Sequence, residues 1–184
     1  MSHLIIGLTG KKRAGKSTVA KHLCEKHGFV EITVAEPLKE VIGRHLFYFT
    51  DEQLYGNTKD VVDERWFVTP REVWLAFGEF IRSKYGEDYL AKRTMFRIAA
   101  LFARYPKGAR VVVSDCKFPR ELEVVETVGG VTCRVTKEGN TTDESDIETA
   151  TDSYNTDFEF SAADGDLDSL LAQTDKMMEK ISAI

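Results

Sequence analysis

The sequence predicts an α/β fold of three layers, a parallel central sheet with helices on both faces. Three observations point there. An apolar run at residues 4–9 passes through a glycine-rich turn into an amphipathic stretch that starts at Lys16. Short β-branched runs recur at 29–34, 110–114 and 131–135, with helix-length segments between them. Proline and glycine punctuate the borders: Pro37, Pro70 and Pro119 where helices should begin, Gly28 and Gly129-Gly130 where they should stop.

Taken in order, residues 4–9 read as a buried strand and 16–27 as a helix stopped by Gly28. Residues 29–34 read as a second strand, and Pro37 starts a helix to about residue 47. Thr50-Asp51-Glu52-Gln53 is a capping start for one short turn, and 56–64 reads as polar loop. Thr69 as cap, Pro70 at the first position and Glu72 at the third predict a helix to about Lys84. Its apolar positions Val73, Phe77, Phe80 and Ile81 fall on one face. A further helix runs from Glu87 or Asp88 to Arg104, broken by Pro106-Lys107-Gly108. Residues 110–114 make a short interior strand, and Pro119 opens a helix through about 128. Strands at 131–135 and 158–162 follow, and Asp164-Gly165 turns into a C-terminal helix.

The 184 residues are expected to form one domain with a substantial core. Within it, about 36–105 reads as a helical, substrate-binding insertion and about 136–156 as a mobile, lid-like surface segment. From 136 to 168 acids dominate and Lys137 is the sole base. Lids that close on phosphates usually bring arginine, and this one has none. The net charge of −5 argues against binding polymeric nucleic acid. No apolar run nears the roughly 20 residues that span a bilayer, and the N-terminal run is too short for a signal peptide. Cys24, Cys116 and Cys133 lie far apart and form no metal-spaced pair, so a reducing cytoplasm is expected. His3, His22, His27 and His45 make no catalytic spacing.

Chemistry concentrates at Gly10-Lys11-Lys12-Arg13-Ala14-Gly15-Lys16-Ser17, between the first strand and the first helix. The pattern G-x-x-x-x-G-K-[ST] is the phosphate-binding P-loop, which makes the expected architecture a P-loop NTPase fold. Gly10 and Gly15 let backbone N–H groups curl round phosphate oxygens where a Cβ would intrude. The helix start adds free N–H groups and the positive end of its dipole. Lys16 supplies a mobile charge for the β- and γ-phosphates of ATP, and the Ser17 hydroxyl is placed to ligate Mg²⁺. Lys11, Arg13, Ala14 and Thr18 complete the expected nucleotide-binding set.

Two other groups fall where a site should be. Arg71, Leu75, Gly78 and Arg82 share a helical stripe, the arginine Cα atoms about 16 Å apart. They can hold two parts of one ligand or stand as solvated surface charges. Asp115 follows the strand at 110–114, and ligands of parallel sheets bind at such carboxyl ends. It could support Mg²⁺, touch a second substrate, act as a base or cap a turn. Lys117 and Arg120 lie on the same rim and suit neutralising charge on a transferred phosphoryl group, or surface roles. Cys116 reads as a packing residue.

Several segments in one order carry a resemblance. They are Gly10–Thr18, Glu36-Pro37-Leu38-Lys39-Glu40, Thr69-Pro70-Arg71-Glu72, Phe77-Gly78-Glu79 through Arg82, Ser114-Asp115-x-Lys117-Phe118-Pro119, Gly129-Gly130, Glu148-Thr149-Ala150 and Asp164-Gly165. The set resembles the bacteriophage-type deoxynucleoside monophosphate kinases, within the P-loop nucleoside monophosphate kinases. The resemblance implies transfer of the γ-phosphate of Mg²⁺-ATP to a deoxynucleoside 5′-monophosphate. It implies that Arg71 and Arg82, with Glu36, Lys39, Gly78, Asp115 and Glu148, face the acceptor. It places Asp164 and Gly165 near the adenine, and it leaves a homodimer open. Lys117 stands where the family usually has Arg, Arg120 and Ala163 where it often has Asn, and Ser145-Asp146-Ile147-Glu148 replaces a His-x-Ser-Glu-like stretch. Residues 5–10 also resemble the start of dephospho-coenzyme A kinases, and later segments the phosphomevalonate kinases of animals. A nucleotide-binding regulatory protein without catalysis is the reading of a different class.

Overall fold

The computed structural model describes residues 3–139 and 149–182. Strands β1 (Leu4–Thr9), β2 (Val30–Ile32), β3 (Arg110–Val113), β4 (Val131–Lys137) and β5 (Phe158–Ala162) form one sheet, ordered β2-β3-β1-β4-β5. All of its pairings are parallel, with Gly7 beside Val113 and Thr9 beside Arg134. Helices among the described residues include α1 (Lys16–His27), α2 (Asp51–Leu54), α3 (Pro70–Tyr85), α4 (Tyr89–Arg104), α5 (Pro119–Thr127) and α6 (Leu167–Ser182). This is the α/β architecture expected, with helices on both sides of the sheet.

Alternation along β1 explains the layering, since successive side chains leave opposite faces of a strand. Ile6 and Leu8 join Val19, Leu23, Leu170 and Met177 in the core under α1 and α6. On the other face Gly7 lets α5 approach: a Cβ there would stand 2.9 Å from Val125 Cγ2. Gly130 does the same, its Cβ position lying 2.8 Å from both Ile5 Cβ and Val125 Cγ1.

The chain divides into two units, Met1–Thr33 with Ala91–Ile184, and Val34–Leu90. The first holds the sheet. In the second, the segment expected as an ordinary helix after Pro37 is a π-helix over Leu38–Leu46. Phe47 N–H reaches back five residues to the Ile42 carbonyl, and Phe49 N–H bonds the Gly43 carbonyl. The wider coil sets the Gly43 backbone against Leu54; a Cβ there would stand 2.5 Å from Leu54 Cδ2. The expected capping boxes at Thr50 and Thr69 are present, closed by Gln53 and Glu72. The 56–64 loop contains a 3₁₀ turn at Thr58–Asp60, and Asp63 bridges to Val68.

One helix face differs from the expectation. On α3 the buried residues are Pro70, Val73, Trp74 and Gly78, whereas Phe80 is 55% exposed. Leu38 lies 3.2 Å from the position a Gly78 Cβ would take. Packing therefore favours the face that offers the smallest residue, turned away from Phe80. The second strand is also shorter than expected, and α4 starts at Tyr89.

Candidate active site

β1 ends at Thr9, beside Arg134 of β4, and the chain turns at once into the glycine-rich loop. Gly10 adopts φ 131°, and a Cβ on it would stand 2.0 Å from the Val135 carbonyl oxygen. Gly15, at φ 102°, is the N-cap of α1; its Cβ position lies 2.7 Å from Leu170 Cδ2. No other residue type fits such positions without backbone movement. Arg13 carries the left-handed turn between them at φ 63°, its side chain exposed. The Ala14 N–H bonds the Lys11 carbonyl at 3.2 Å, closing the loop.

A hollow of 280 Å³ opens on this loop, lined by Arg13, Ala14, Gly15, Lys16, Ser17 and Thr18. It is the start of α1, where the positive end of the helix dipole favours an anion. No acidic side chain occupies the first turn. The Lys16 ammonium folds over the loop, donating to the Gly10 carbonyl and, at 2.8 Å, to the Lys11 carbonyl. Ser17 is exposed at the helix start.

A second hollow, of 240 Å³, lies across the loop against Arg134, Thr136, Lys137 and Asp152. Lys137 pairs with Asp164 at 2.6 Å, so the Asp164-Gly165 turn stands next to its rim. Arg134 is held by the Thr151 and Tyr154 carbonyls at 2.7 and 2.6 Å. The buried Thr9 and Thr151 hydroxyls meet at 2.7 Å. Residues 149–154 are thus tied to the ends of β1 and β4; Glu148 lies outside the described residues.

Asp115 follows β3, the strand paired with β1. Cys116 N–H bonds the Leu8 carbonyl at 3.0 Å, which ties this turn to the strand leading into the loop. Burial pushes the Cys116 thiol up, the Glu121 and Asp115 charges push it further, and the Lys16 charge pulls against them. Both Asp115 and Lys16 therefore act on one buried sulfur, which stays a thiol. Glu121 caps α5, its carboxylate accepting from Lys117 N–H at 2.6 Å and Phe118 N–H at 3.1 Å. Arg120 pairs with Glu123 at 2.6 Å on the exposed face of α5.

The remaining expected residues lie in the Val34–Leu90 unit. Arg71 is ion-paired with Asp60, and its guanidinium carbon lies 5.9 Å from the centre of the Trp74 ring. Lys39 stands 5.3 Å from the Trp74 ring and 5.0 Å from the Tyr55 ring. Two cations thus share one buried indole, an arrangement worth about 0.5–2 kcal/mol per contact. Arg82 lies back over Gly78, its Nη1 3.4 Å from the Cβ position there. The bare helix surface at Gly78 gives that guanidinium its place, and the side chain is 13% exposed. Glu36 buries one carboxylate oxygen.

Some residues were not legible beforehand. Trp74 gathers Lys39 and Arg71, yet reads in sequence as one more helix apolar. Arg93 and Arg97, four apart on one face of α4, each bury an Nη1 atom, and burial lowers the Arg97 pKa. Their i, i+4 spacing was the available signal. Lys137 had none.

Comparison with known proteins places the chain. No family model matches it. A protein of Acanthamoeba polyphaga mimivirus, provisionally named a deoxynucleotide monophosphate kinase, is 33% identical over 152 residues. The match covers 77% of this chain and 78% of that protein. Among solved structures, dephospho-CoA kinase from Campylobacter jejuni aligns over 100% of this chain and 98% of its own, with TM-score 0.51 and 15% identity, a likeness of fold. With the loop, the strand order and the mimivirus relative together, the chain belongs to the deoxynucleotide monophosphate kinase family.

Proposed function

We propose that this protein transfers the γ-phosphoryl group of ATP to the phosphate of a deoxynucleoside 5′-monophosphate. The observation that carries the reading is the hollow at the start of α1, bounded by Gly15, Lys16, Ser17 and Thr18. Its size, its place at the positive end of the α1 dipole and the lack of a first-turn acid suit a triphosphate tail. Lys16 would exchange the Gly10 and Lys11 carbonyls for β- and γ-phosphate oxygens. Ser17 would hold Mg²⁺, which when bound neutralises charge between those oxygens. Asp115, at the end of the neighbouring strand, would support the metal side or the acceptor. The second hollow, with the Asp164-Gly165 turn beside it, would take the adenosine end.

The acceptor fits the absence of an evident base. A phosphate monoester has its second pKa near 6, so it is already nucleophilic at neutral pH. It needs positioning and charge neutralisation. Arg71, Lys39 and Arg82 would hold it, with Glu36 and Gly78 shaping its place; Lys117 would act on the transferred group, joined by Arg120 once it exchanges Glu123 for phosphate. The aromatic surface of Trp74 and Tyr55 between Lys39 and Arg71 suits a flat base beside its phosphate.

Purified protein is tested with Mg²⁺-ATP against four deoxynucleoside monophosphates, their ribose counterparts, dephospho-coenzyme A and phosphomevalonate. ADP release stimulated by one or more deoxynucleoside monophosphates is the expected result. Stimulation by another acceptor alone would reassign the substrate. ADP release that no acceptor raises would overturn the kinase reading.

A further inference from the structure

His22 and His27 on α1 and Asp175 on α6 form a cluster that phosphoryl transfer does not use. Both Nε2 atoms approach the same oxygen, Asp175 Oδ1, at 2.9 and 2.7 Å. The two rings meet edge to face, centroids 5.7 Å apart and planes at 73°, so they converge on that oxygen from different directions. One nitrogen from each ring and one carboxylate oxygen lie within 4.8 Å of one another. We propose that these three side chains bind a divalent transition-metal ion of the zinc class, clasping the C-terminal end of α1 to α6.

The donor set is the one zinc takes: two imidazole nitrogens and a carboxylate oxygen, with a fourth position for water. A tetrahedral ion with bonds near 2.0–2.1 Å sets its ligand atoms about 3.3 Å apart. Opening the cluster by about half an ångström replaces two hydrogen bonds with metal bonds. Each neutral imidazole has a lone pair for the ion once its proton sits on Nδ1. Lys26 Nζ already holds the other carboxylate oxygen, Asp175 Oδ2, at 2.7 Å. That leaves Oδ1 for the ion and orients the carboxylate, as outer partners of metal ligands do. His27 occupies the last turn of α1, where the negative end of the helix dipole favours a cation. The side chains are 16%, 18% and 28% exposed, so an ion can enter without unfolding.

Imidazole nitrogen suits zinc-class ions and not magnesium, so the clasp is chemically separate from the Mg²⁺ of the kinase reaction. It lies beyond the loop: His27 is eleven residues along α1 from Lys16, about 16 Å. α6 reaches both places, with Leu170 against Gly15 and Asp175 against the histidines. An ion here would pin the helix that carries the phosphate loop. The proposal does not depend on the identity of the phosphate acceptor.

The test uses the full chain, stripped with chelator and titrated with Zn²⁺ in millimolar Mg²⁺. One saturable site of low-micromolar or tighter Kd is expected by calorimetry. At a hundredfold excess over Kd, Tm should rise by about 5–10 °C. Co²⁺ should give visible d–d bands without a thiolate charge-transfer band, which keeps Cys24, Cys116 and Cys133 out of the set. Asp175→Asn and His27→Gln should each weaken Zn²⁺ more than tenfold, while His45→Gln leaves it unchanged. X-ray absorption on the wild-type protein reads the ligands directly, should a variant fail to fold. Two imidazoles and a carboxylate support the clasp. No saturable binding, a sulfur ligand, or full affinity in both variants overturns it.

Discussion

The Lys16 ammonium donates to the Lys11 carbonyl oxygen at 2.8 Å, across the turn of its own glycine-rich loop. Nothing in that contact carries the fold, since the loop is held by the positive-φ glycines and the Ala14 to Lys11 bond. Lys16→Met is therefore expected to lower kcat about 10²–10³-fold, as losing a charge on the transferred group does. The melting temperature should stay within a few degrees of wild type. Turnover and calorimetry on one preparation check both; near-normal turnover would remove Lys16 from the reaction.

Arg71 offers a different split. Its guanidinium is held by Asp60 beside the Trp74 ring, away from any backbone capping role. Arg71→Ala should cut kcat/KM for the monophosphate by about 10–100-fold, the loss of a charge-assisted contact. The KM for ATP should change less than about threefold, because the same loss leaves uniform binding of ATP intact. Steady-state kinetics with each substrate varied in turn separates the two. Equal effects on both would place Arg71 outside the acceptor site.

Gly10 and Gly28 make a pair for testing the backbone argument. Both have positive φ, but a Cβ at Gly10 meets a backbone carbonyl at 2.0 Å, and at Gly28 it meets nothing within 4 Å. Gly28→Ala should cost about 1–2 kcal/mol, the left-handed penalty alone. Gly10→Ala should cost clearly more, about 3 kcal/mol or above, because the carbonyl cannot move aside cheaply. Urea unfolding of both variants gives the comparison. Equal costs would mean the loop relaxes.

Acid should weaken the Val34–Leu90 unit in a defined window. The Arg44 guanidinium, donating to Glu40 at 2.6 Å, and the Tyr55 hydroxyl hold the Glu40 carboxyl down to about 2. Arg65 and Gln53 likewise hold Asp63 well below the usual carboxylate range. A carboxyl whose folded pKa is depressed adds stability that is present above its unfolded pKa, near 4, and lost as pH falls through the folded one. Glu40→Gln should therefore be less stable than wild type at neutral pH. The gap should close from about pH 4 towards the folded value of about 2. Urea midpoints across that range decide; a gap that does not change with pH would assign the effect to packing.

Glu121 predicts a stability effect next to the site. Its buried carboxylate takes both the Lys117 and Phe118 N–H groups, so Glu121→Ala leaves two donors unmade at the start of α5. A loss of about 1–3 kcal/mol is expected, with Glu121→Gln recovering part of it. Thermal melts of the two variants test this, and a neutral alanine would show that water replaces the carboxylate.

What the sequence by itself determined is local. The glycines and Lys16 of the loop, the Thr50 and Thr69 capping boxes and the β-branched strands declare themselves within a few residues, because turn, cap and alternation are short-range physics. The tertiary structure decided what depends on distant partners. Leu38 chose which face of α3 is buried, turning Phe80 out and drawing Trp74 in beside Lys39 and Arg71. The sheet order brought Asp115 to the strand beside the loop, and the packing of α6 on α1 set Asp175 between two histidines 148 and 153 residues away. Such contacts arise from packing surfaces that no window of sequence contains, so their residues look ordinary until the chain is folded.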